Sequence, residues 1–193
     1  MKRVQLAQLL ASLAVIGSAL SATSAFAGDA VDVGSKVPDA KSVKEGLFPE
    51  DSCKELEASG FKCMGFKPAI RYSLPASSFQ VGSAELPATL KKQLDVFAEV
   101  LKSKRGSGQQ VKIEGHADAS GSAEHNQALS VRRAEAVKSY LVAHGADPAM
   151  LIVAGAGSKE LKDPAHPFSG ENRRVEIGRQ QAPQPAAQPA SQP

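Results

Sequence analysis

The sequence has no tryptophan, only two cysteines and no run of basic residues. Binding to nucleic acid requires a clustered cationic surface, because phosphates are recognised largely through their charge. The net charge is +3 for the whole chain; without the first 27 residues, which include Lys2 and Arg3, it is 21 Lys+Arg against 20 Asp+Glu. We therefore expect no nucleic-acid partner.

No long apolar run follows residue 27, so no transmembrane segment is predicted in the remainder of the chain. In the first 27 residues, Lys2 and Arg3 precede an apolar run from Leu9 to Leu20, and the sequence Ala-Phe-Ala closes the stretch. This pattern is typical of a cleavable secretory signal and predicts a mature chain that begins at Gly28. No cysteine follows the cleavage position, so no lipid anchor is expected.

The two cysteines, Cys53 and Cys63, lie ten positions apart. In a chain exported to an oxidising compartment, such a pair is expected to form a structural disulfide. A metal or redox role is the alternative, but the spacing is not C-x-x-C and no histidine lies nearby. We expect no metal and no cofactor.

Composition divides the exported chain into three parts. Residues 28–68 mix Gly, Pro and Lys without a sustained period and are interpreted as an N-terminal extension that contains the disulfide. Residues 180–193 are almost wholly Gln, Ala, Pro and Ser, and such a segment cannot bury enough apolar area to offset its ordering entropy, so a disordered tail is predicted. Residues 69–179 have the length of a single domain.

Hydrophobic periodicity predicts the elements of that domain. Strands are expected over residues 70–74, 111–114, 151–154 and 173–178, and amphipathic helices over 86–101 and 122–144. The order is strand, helix, strand, helix, strand, strand. It predicts an α/β fold, an α+β sandwich with helices packed on one face of a mixed sheet.

Two arginines occupy positions that otherwise face the core. Arg133 falls on the apolar side of the second helix, with Asn126 two turns earlier, and Arg173 shares a strand face with Val175. A guanidinium in a core needs an anionic partner. For Arg133 that partner is either Asp118, in a structural ion pair, or the carboxylate of a ligand. Arg173 could instead extend its head into solvent from the end of the strand.

Three segments resemble the OmpA-like C-terminal domain family. Residues 115–118 read G-H-A-D, residues 126–134 read N-Q-A-L-S-V-R-R-A, and residues 172–176 read N-R-R-V-E. The family pattern is G-H-[TA]-D, then N-x-x-L-S-x-x-R-A, and finally N-R-R-V-E. The resemblance extends over about residues 70–179 and agrees with the fold predicted above.

The resemblance implies a soluble periplasmic protein that binds peptidoglycan non-covalently through the diaminopimelate of the stem peptide. In that family the matching Asp and Arg are the chief contacts, which here are Asp118 and Arg133. Asn126, Arg173 and Ser120 match positions that line the same pocket. Two positions depart from the family: Gln80 stands where many members have Asp, and Gly82 where some have a polar side chain.

The sequence also suggests two alternative functions. His116, Asp118 and His125 could form a metal or acid–base set in a metal-dependent hydrolase, but no nucleophile stands beside a base, so we do not expect an enzyme. Alternatively, the domain could be an envelope scaffold that contacts another protein through residues 28–68.

Overall fold

The computed structural model describes residues 30–63, 68–75 and 79–180; the predicted signal peptide and the predicted tail beyond Gln180 lie outside this part. The elements, in chain order, are β1 (Val31–Asp32), α1 (Ala40–Leu47), α2 (Pro49–Ala58), β2 (Tyr72–Leu74), α3 (Ala88–Ser103), β3 (Val111–His116), α4 (Ala123–Ala143), β4 (Leu151–Gly157) and β5 (Val175–Arg179). The predicted order of strands and helices is confirmed by β2, α3, β3, α4, β4 and β5.

The described strands form one mixed sheet in the order β1-β2-β5-β3-β4. β1 is parallel to β2 and β3 is parallel to β4, whereas β5 is antiparallel to both of its neighbours. The pairing of Gly115 with Val175 places the start of β5 beside the end of β3. The chain segments that follow β3 and precede β5 therefore meet at one end of the sheet.

The hydrophobic core lies between one face of the sheet and the helices, as predicted. Tyr72 of β2 contacts Phe97 of α3 edge-on, with ring centroids 5.5 Å apart. The other fully buried residues of this core include Leu74, Leu90, Leu94, Leu101, Ile113, Val137, Leu141, Val175 and Ile177. Their spacing in α3 follows the helical period that the sequence showed.

The segment from β1 to α2 packs on this core, although the sequence showed no period there. Val43, Leu47 and Phe48 are fully buried. The Phe48 ring has two cations over it, Lys104 at 5.2 Å and Arg179 at 5.2 Å from its centroid. The predicted disulfide is confirmed: it joins Cys53 in α2 to Cys63, and the two Cα atoms are 5.2 Å apart.

Helix α4 lies very close to β3 and β4. An added Cβ at Gly115 or Gly155 would clash with Ser130 of the helix, so only glycine permits this approach. On either side of Ser130 along the helix, Gln127 Nε2 donates to the Gly155 carbonyl oxygen at 2.7 Å, and Lys138 Nζ donates to the Leu151 carbonyl oxygen at 2.7 Å.

The last strand begins later than predicted. The sequence predicts a strand from Arg173, but β5 starts at Val175 because the preceding residues form a 3-10 turn, Gly170–Asn172. The Asn172 side chain, fully buried, donates to the carbonyl oxygens of His166 at 3.0 Å and Pro167 at 3.2 Å. These bonds keep the chain in a loop up to Arg173.

Candidate functional site

Asp118 lies in the loop that follows β3, where the sheet ends. Its side chain is almost entirely buried, and Oδ2 accepts a hydrogen bond from Arg173 Nη1 at 2.8 Å. Oδ1 accepts from the Ser120 backbone N–H at 2.9 Å, and Asn126 Nδ2 donates to the Asp118 carbonyl oxygen at 3.0 Å. Three of the predicted site residues therefore hold the fourth in place.

These contacts keep Asp118 ionised. Burial raises the pKa of its carboxyl, but hydrogen bonds from Arg173 and Ser120, together with the charge of Arg173, outweigh burial and hold the pKa below its usual range. A carboxylate with a lowered pKa is charged at every physiological pH. It therefore offers a fixed negative charge to a cationic group.

Arg133, from the middle of α4, has no exposed surface. Nε donates to the Ser83 carbonyl oxygen at 2.9 Å, Nη1 to that of His116 at 3.2 Å, and Nη2 to that of Gln80 at 3.2 Å. The guanidinium also lies over the Phe79 ring, 4.9 Å from its centroid. Within the described residues, the hydrogen-bond partners of Arg133 are backbone carbonyls. The structural ion pair between Asp118 and Arg133, one of the two possibilities that the sequence offered, is not formed in this part of the chain.

Among the residues that the structure describes, no carboxylate is in contact with Arg133 to neutralise its charge. Burial, followed by the charges of Arg173 and Arg132, lowers the pKa of Arg133 to about 10, although the charge of Asp118 opposes them. The side chain is still a cation at neutral pH. A guanidinium has five N–H donors, of which the contacts above use three. A carboxylate would satisfy both the charge and the remaining donors.

All five predicted binding residues line one open pocket. Besides Asp118, Ser120, Asn126, Arg133 and Arg173, the pocket is lined by Val81, Gly82, Ala117, His125 and Leu129. The antiparallel pairing of β5 with β3 explains why residues so far apart in the chain meet here.

Sequence reasoning missed the role of the turn before α3. Gln80 and Ser83 contribute backbone carbonyls to Arg133, and a backbone group has no sequence signature. The Ser83 N–H also bonds the Gln80 carbonyl, and Gly82 between them has φ 72°, a conformation that favours glycine. Gln80 and Gly82, the two departures from the family pattern, both lie in this turn. Gln80 contacts Arg133 through its backbone carbonyl oxygen, so this contact does not depend on the side chain at position 80.

The residues of the hydrolase alternative do not converge. Asp118 and His125 line the pocket, whereas the His116 side chain is not among the lining groups. It lies on the sheet face opposite the helices, with Nε2 3.7 Å from Glu176 Oε2. Burial, followed by the charges of Arg174 and Arg71, lowers the His116 pKa to about 3, so the imidazole is neutral.

Comparison with known proteins assigns the fold to a family. A model of the OmpA family matches residues 78–175, about half of the chain. The chain belongs to the OmpA family. All five of the residues that line the pocket and were predicted from the sequence lie within the segment matched by the OmpA family model.

Two relatives of this OmpA family chain are named peptidoglycan-associated lipoprotein. One, from Pseudomonas aeruginosa, is 42% identical over 101 residues, covering 51% of this chain and 58% of the relative. The other, from Pseudomonas putida, is 37% identical and covers 51% of this chain and 59% of the relative. The aligned part of the chain thus spans less than two thirds of either relative.

A solved structure is also similar. The peptidoglycan-associated lipoprotein of Burkholderia pseudomallei is 28% identical, with a TM-score of 0.49, over 56% of this chain and 89% of that chain. Separately, none of the helices in the described part of the chain is both long and apolar enough to span a bilayer.

Proposed function

We propose that this protein binds peptidoglycan non-covalently at the cell wall, through the diaminopimelate of the stem peptide. The observation that carries the proposal is the fully buried Arg133 cation, which bonds backbone carbonyls and opens onto a pocket that also contains an ionised Asp118. A buried cation of this kind favours an anionic ligand, because burying charge without a partner is costly.

The pocket suits a zwitterion. The free end of diaminopimelate carries a carboxylate beside an ammonium. The carboxylate would accept from the remaining Arg133 donors, and the ammonium would donate to Asp118, both as charge-assisted hydrogen bonds. Ser120, Asn126 and Arg173 act by holding Asp118. A stem peptide with lysine in place of diaminopimelate lacks that carboxylate and would leave Arg133 unmatched.

Two further observations support this proposal. The names of the two Pseudomonas relatives refer to peptidoglycan, and their alignment with the chain covers 101 residues. The predicted signal peptide adds the expectation of export, which supports the proposal of a periplasmic location. The hydrolase alternative lacks support, because His116 is held away from the pocket that Asp118 and His125 line.

A sedimentation experiment tests the proposal. Residues 28–193 are mixed with insoluble diaminopimelate-type peptidoglycan, and the bound fraction is measured for wild type, Asp118→Asn, Arg133→Met and Arg132→Ala. Arg132 is the exposed neighbour of Arg133 and serves as the matched control. We expect wild type and Arg132→Ala to sediment alike. Each pocket variant should lose at least about 2 kcal/mol of binding, since it leaves a buried charged partner unmatched.

The other outcomes are equally informative once circular dichroism has shown that the variants are folded. If every variant sediments like wild type, the binding site lies elsewhere on the protein. If wild type stays in the supernatant, the wall-binding proposal is wrong and the scaffold alternative, with contacts through residues 28–68, becomes the one to test. Competition by free diaminopimelate but not by lysine would identify the ligand group.

A further inference from the structure

The sheet face opposite the helices carries charged side chains that are nearly as buried as the core. Glu114 and His116 of β3 are 7% and 0% exposed, and Arg174 and Glu176 are 6% and 2% exposed. Arg174 Nη1 donates to the Glu160 carbonyl oxygen at 3.1 Å, which draws the segment after β4 over this face.

Ion pairs account for most of these charges. Glu176 binds Arg174 Nε at 2.7 Å and lies 3.1 Å from Arg71 Nε, and Glu114 binds Lys112 Nζ at 2.9 Å. The carboxylate of Glu160, an exposed residue, has no ion pair within the described residues. The cluster therefore holds three cations and three carboxylates.

The His116 imidazole is neutral and forms no charged pair in this cluster, although its Nε2 lies 3.7 Å from Glu176 Oε2. In the described residues, neither of its ring nitrogens has a hydrogen-bond partner, although both are buried. Leaving buried polar atoms unsatisfied is costly, so such a group requires an explanation. One ligand atom from each of Glu114, His116 and Glu160 lies within 4.8 Å of the others.

We propose that Glu114, His116 and Glu160 bind one divalent transition-metal ion, of the Zn²⁺ class, on the sheet face away from the peptidoglycan pocket. One imidazole nitrogen and two carboxylate oxygens form a ligand set that Zn²⁺ accepts, with water as the fourth ligand. Ca²⁺ is not suited to this site, because it requires six to eight oxygen ligands.

Lys112 is the internal competitor for this site. Its ammonium holds Glu114 in the metal-free protein and would have to turn outward when the metal binds. Because of this competition, two kinds of substitution should change the metal affinity in opposite directions. Removing the Lys112 charge should strengthen metal binding, whereas removing a ligand should weaken it. A purely structural cluster would not show this difference.

The metal would connect two parts of the chain. Glu114 and His116 belong to β3, and Glu160 belongs to the segment between β4 and β5. The same segment bonds the pocket loop where the Pro167 carbonyl oxygen accepts from the Ala119 N–H at 2.9 Å. Metal binding would thus fasten the segment that borders the pocket without placing a ligand in the pocket itself.

Isothermal titration with Zn²⁺ tests the proposal on residues 28–193 without a histidine tag. We expect one equivalent of Zn²⁺ to bind wild type, with Ca²⁺ giving no heat of binding. Glu160→Gln should weaken Zn²⁺ binding at least about tenfold, and Lys112→Gln should strengthen it by up to about tenfold. Glu171→Gln, an exposed carboxylate in the same inter-strand region, should leave binding unchanged.

Several results would overturn the inference. Absence of Zn²⁺ binding in both wild type and Lys112→Gln would show that no site exists. Equal binding by Glu160→Gln and wild type would show that Glu160 is not a ligand and would overturn the proposed three-residue site. Peptidoglycan sedimentation by the same variants is measured in parallel; it should not change, so failure of the metal site is distinguishable from failure of the wall-binding proposal.

Discussion

The two faces of the sheet bury similar fractions of their side chains by different means. The face toward the helices is apolar, with Ile113 and Ile177 fully buried, whereas the other face buries Glu114, Arg174 and Glu176. Apolar burial is non-directional and scales with area. Buried charges stabilise only when each has its partner in the right place.

The two faces therefore differ in what they contribute: one stabilises the fold, and the other positions the chain beside the pocket. The apolar face supplies the free energy that keeps the domain folded, and its contacts can be repacked. The charged face fixes one arrangement of the chain, since Arg174 binds both Glu176 and the Glu160 carbonyl oxygen. Arg173, the neighbour of Arg174, is thereby held where it reaches Asp118. We infer that the charged face orients the pocket more than it stabilises the fold.

The largest effect is expected on the apolar face. Phe97→Ala removes a fully buried ring that contacts Tyr72, and the free energy of unfolding should fall by about 3–5 kcal/mol. Urea denaturation measures this loss. Val96→Ala, the half-buried neighbour on the same helix, should cost well under half as much. Equal losses would mean that the core does not depend on this face of α3.

A smaller loss, of about 3 kcal/mol, is expected when Glu176→Gln removes the charge that Arg71 and Arg174 share. The exposed pair Lys41–Glu45 provides the control, and Glu45→Gln should change the free energy of unfolding by less than about 0.5 kcal/mol. If Glu176→Gln and Glu45→Gln have the same free energy of unfolding, the buried charges of this sheet face contribute no more to stability than an exposed ion pair. Glu176→Gln should also weaken peptidoglycan binding, because it loosens the chain beside Arg173.

The smallest effect is expected when the pH is lowered from 7 to 5. The His116 pKa is about 3 in the folded protein and about 6.5 when the chain is unfolded. The unfolded chain therefore takes up the proton first, and stability is lost progressively from about pH 6.5 toward pH 3, by at most about 1.4 kcal/mol per pH unit.

Urea denaturation at pH 7, 6 and 5 isolates this contribution. The His116→Phe variant should lack it, whereas His125→Gln, at an exposed position, should keep the wild-type slope. A wild-type slope that persists in His116→Phe would assign the pH dependence to other groups and would leave the charged face insensitive to pH in this range.

The sequence predicted the parts of the fold that have a period or a motif. The amphipathic spacing was sufficient to predict α3, and the motif around Asp118 and Arg133 was sufficient to predict the loop after β3 and helix α4. β1 has two residues, too few for an alternating pattern, and α1 and α2 are eight and ten residues long. Short elements of this kind are defined by tertiary packing, which a local pattern does not record.

The candidate site was predicted only as a set of residues. The motifs predicted that these residues lie together, but they did not predict which residue forms hydrogen bonds with which. Asp118 could have paired with either arginine, and the choice of Arg173 depends on the 3-10 turn that ends at Asn172. The carbonyls that hold Arg133 belong to the backbone of Gln80, Ser83 and His116, so no residue type in the sequence identifies them.

The contacts between α4 and β4 affect the tendency of the protein to aggregate through its sheet edge. In the described part of the chain, β4 is an edge strand of the sheet, and Lys138 and Gln127 already donate to the carbonyl oxygens of Leu151 and Gly155. A strand from a second molecule would have to displace both side chains and approach a lysine charge. The helix thereby protects an apolar, glycine-rich edge against strand-by-strand aggregation.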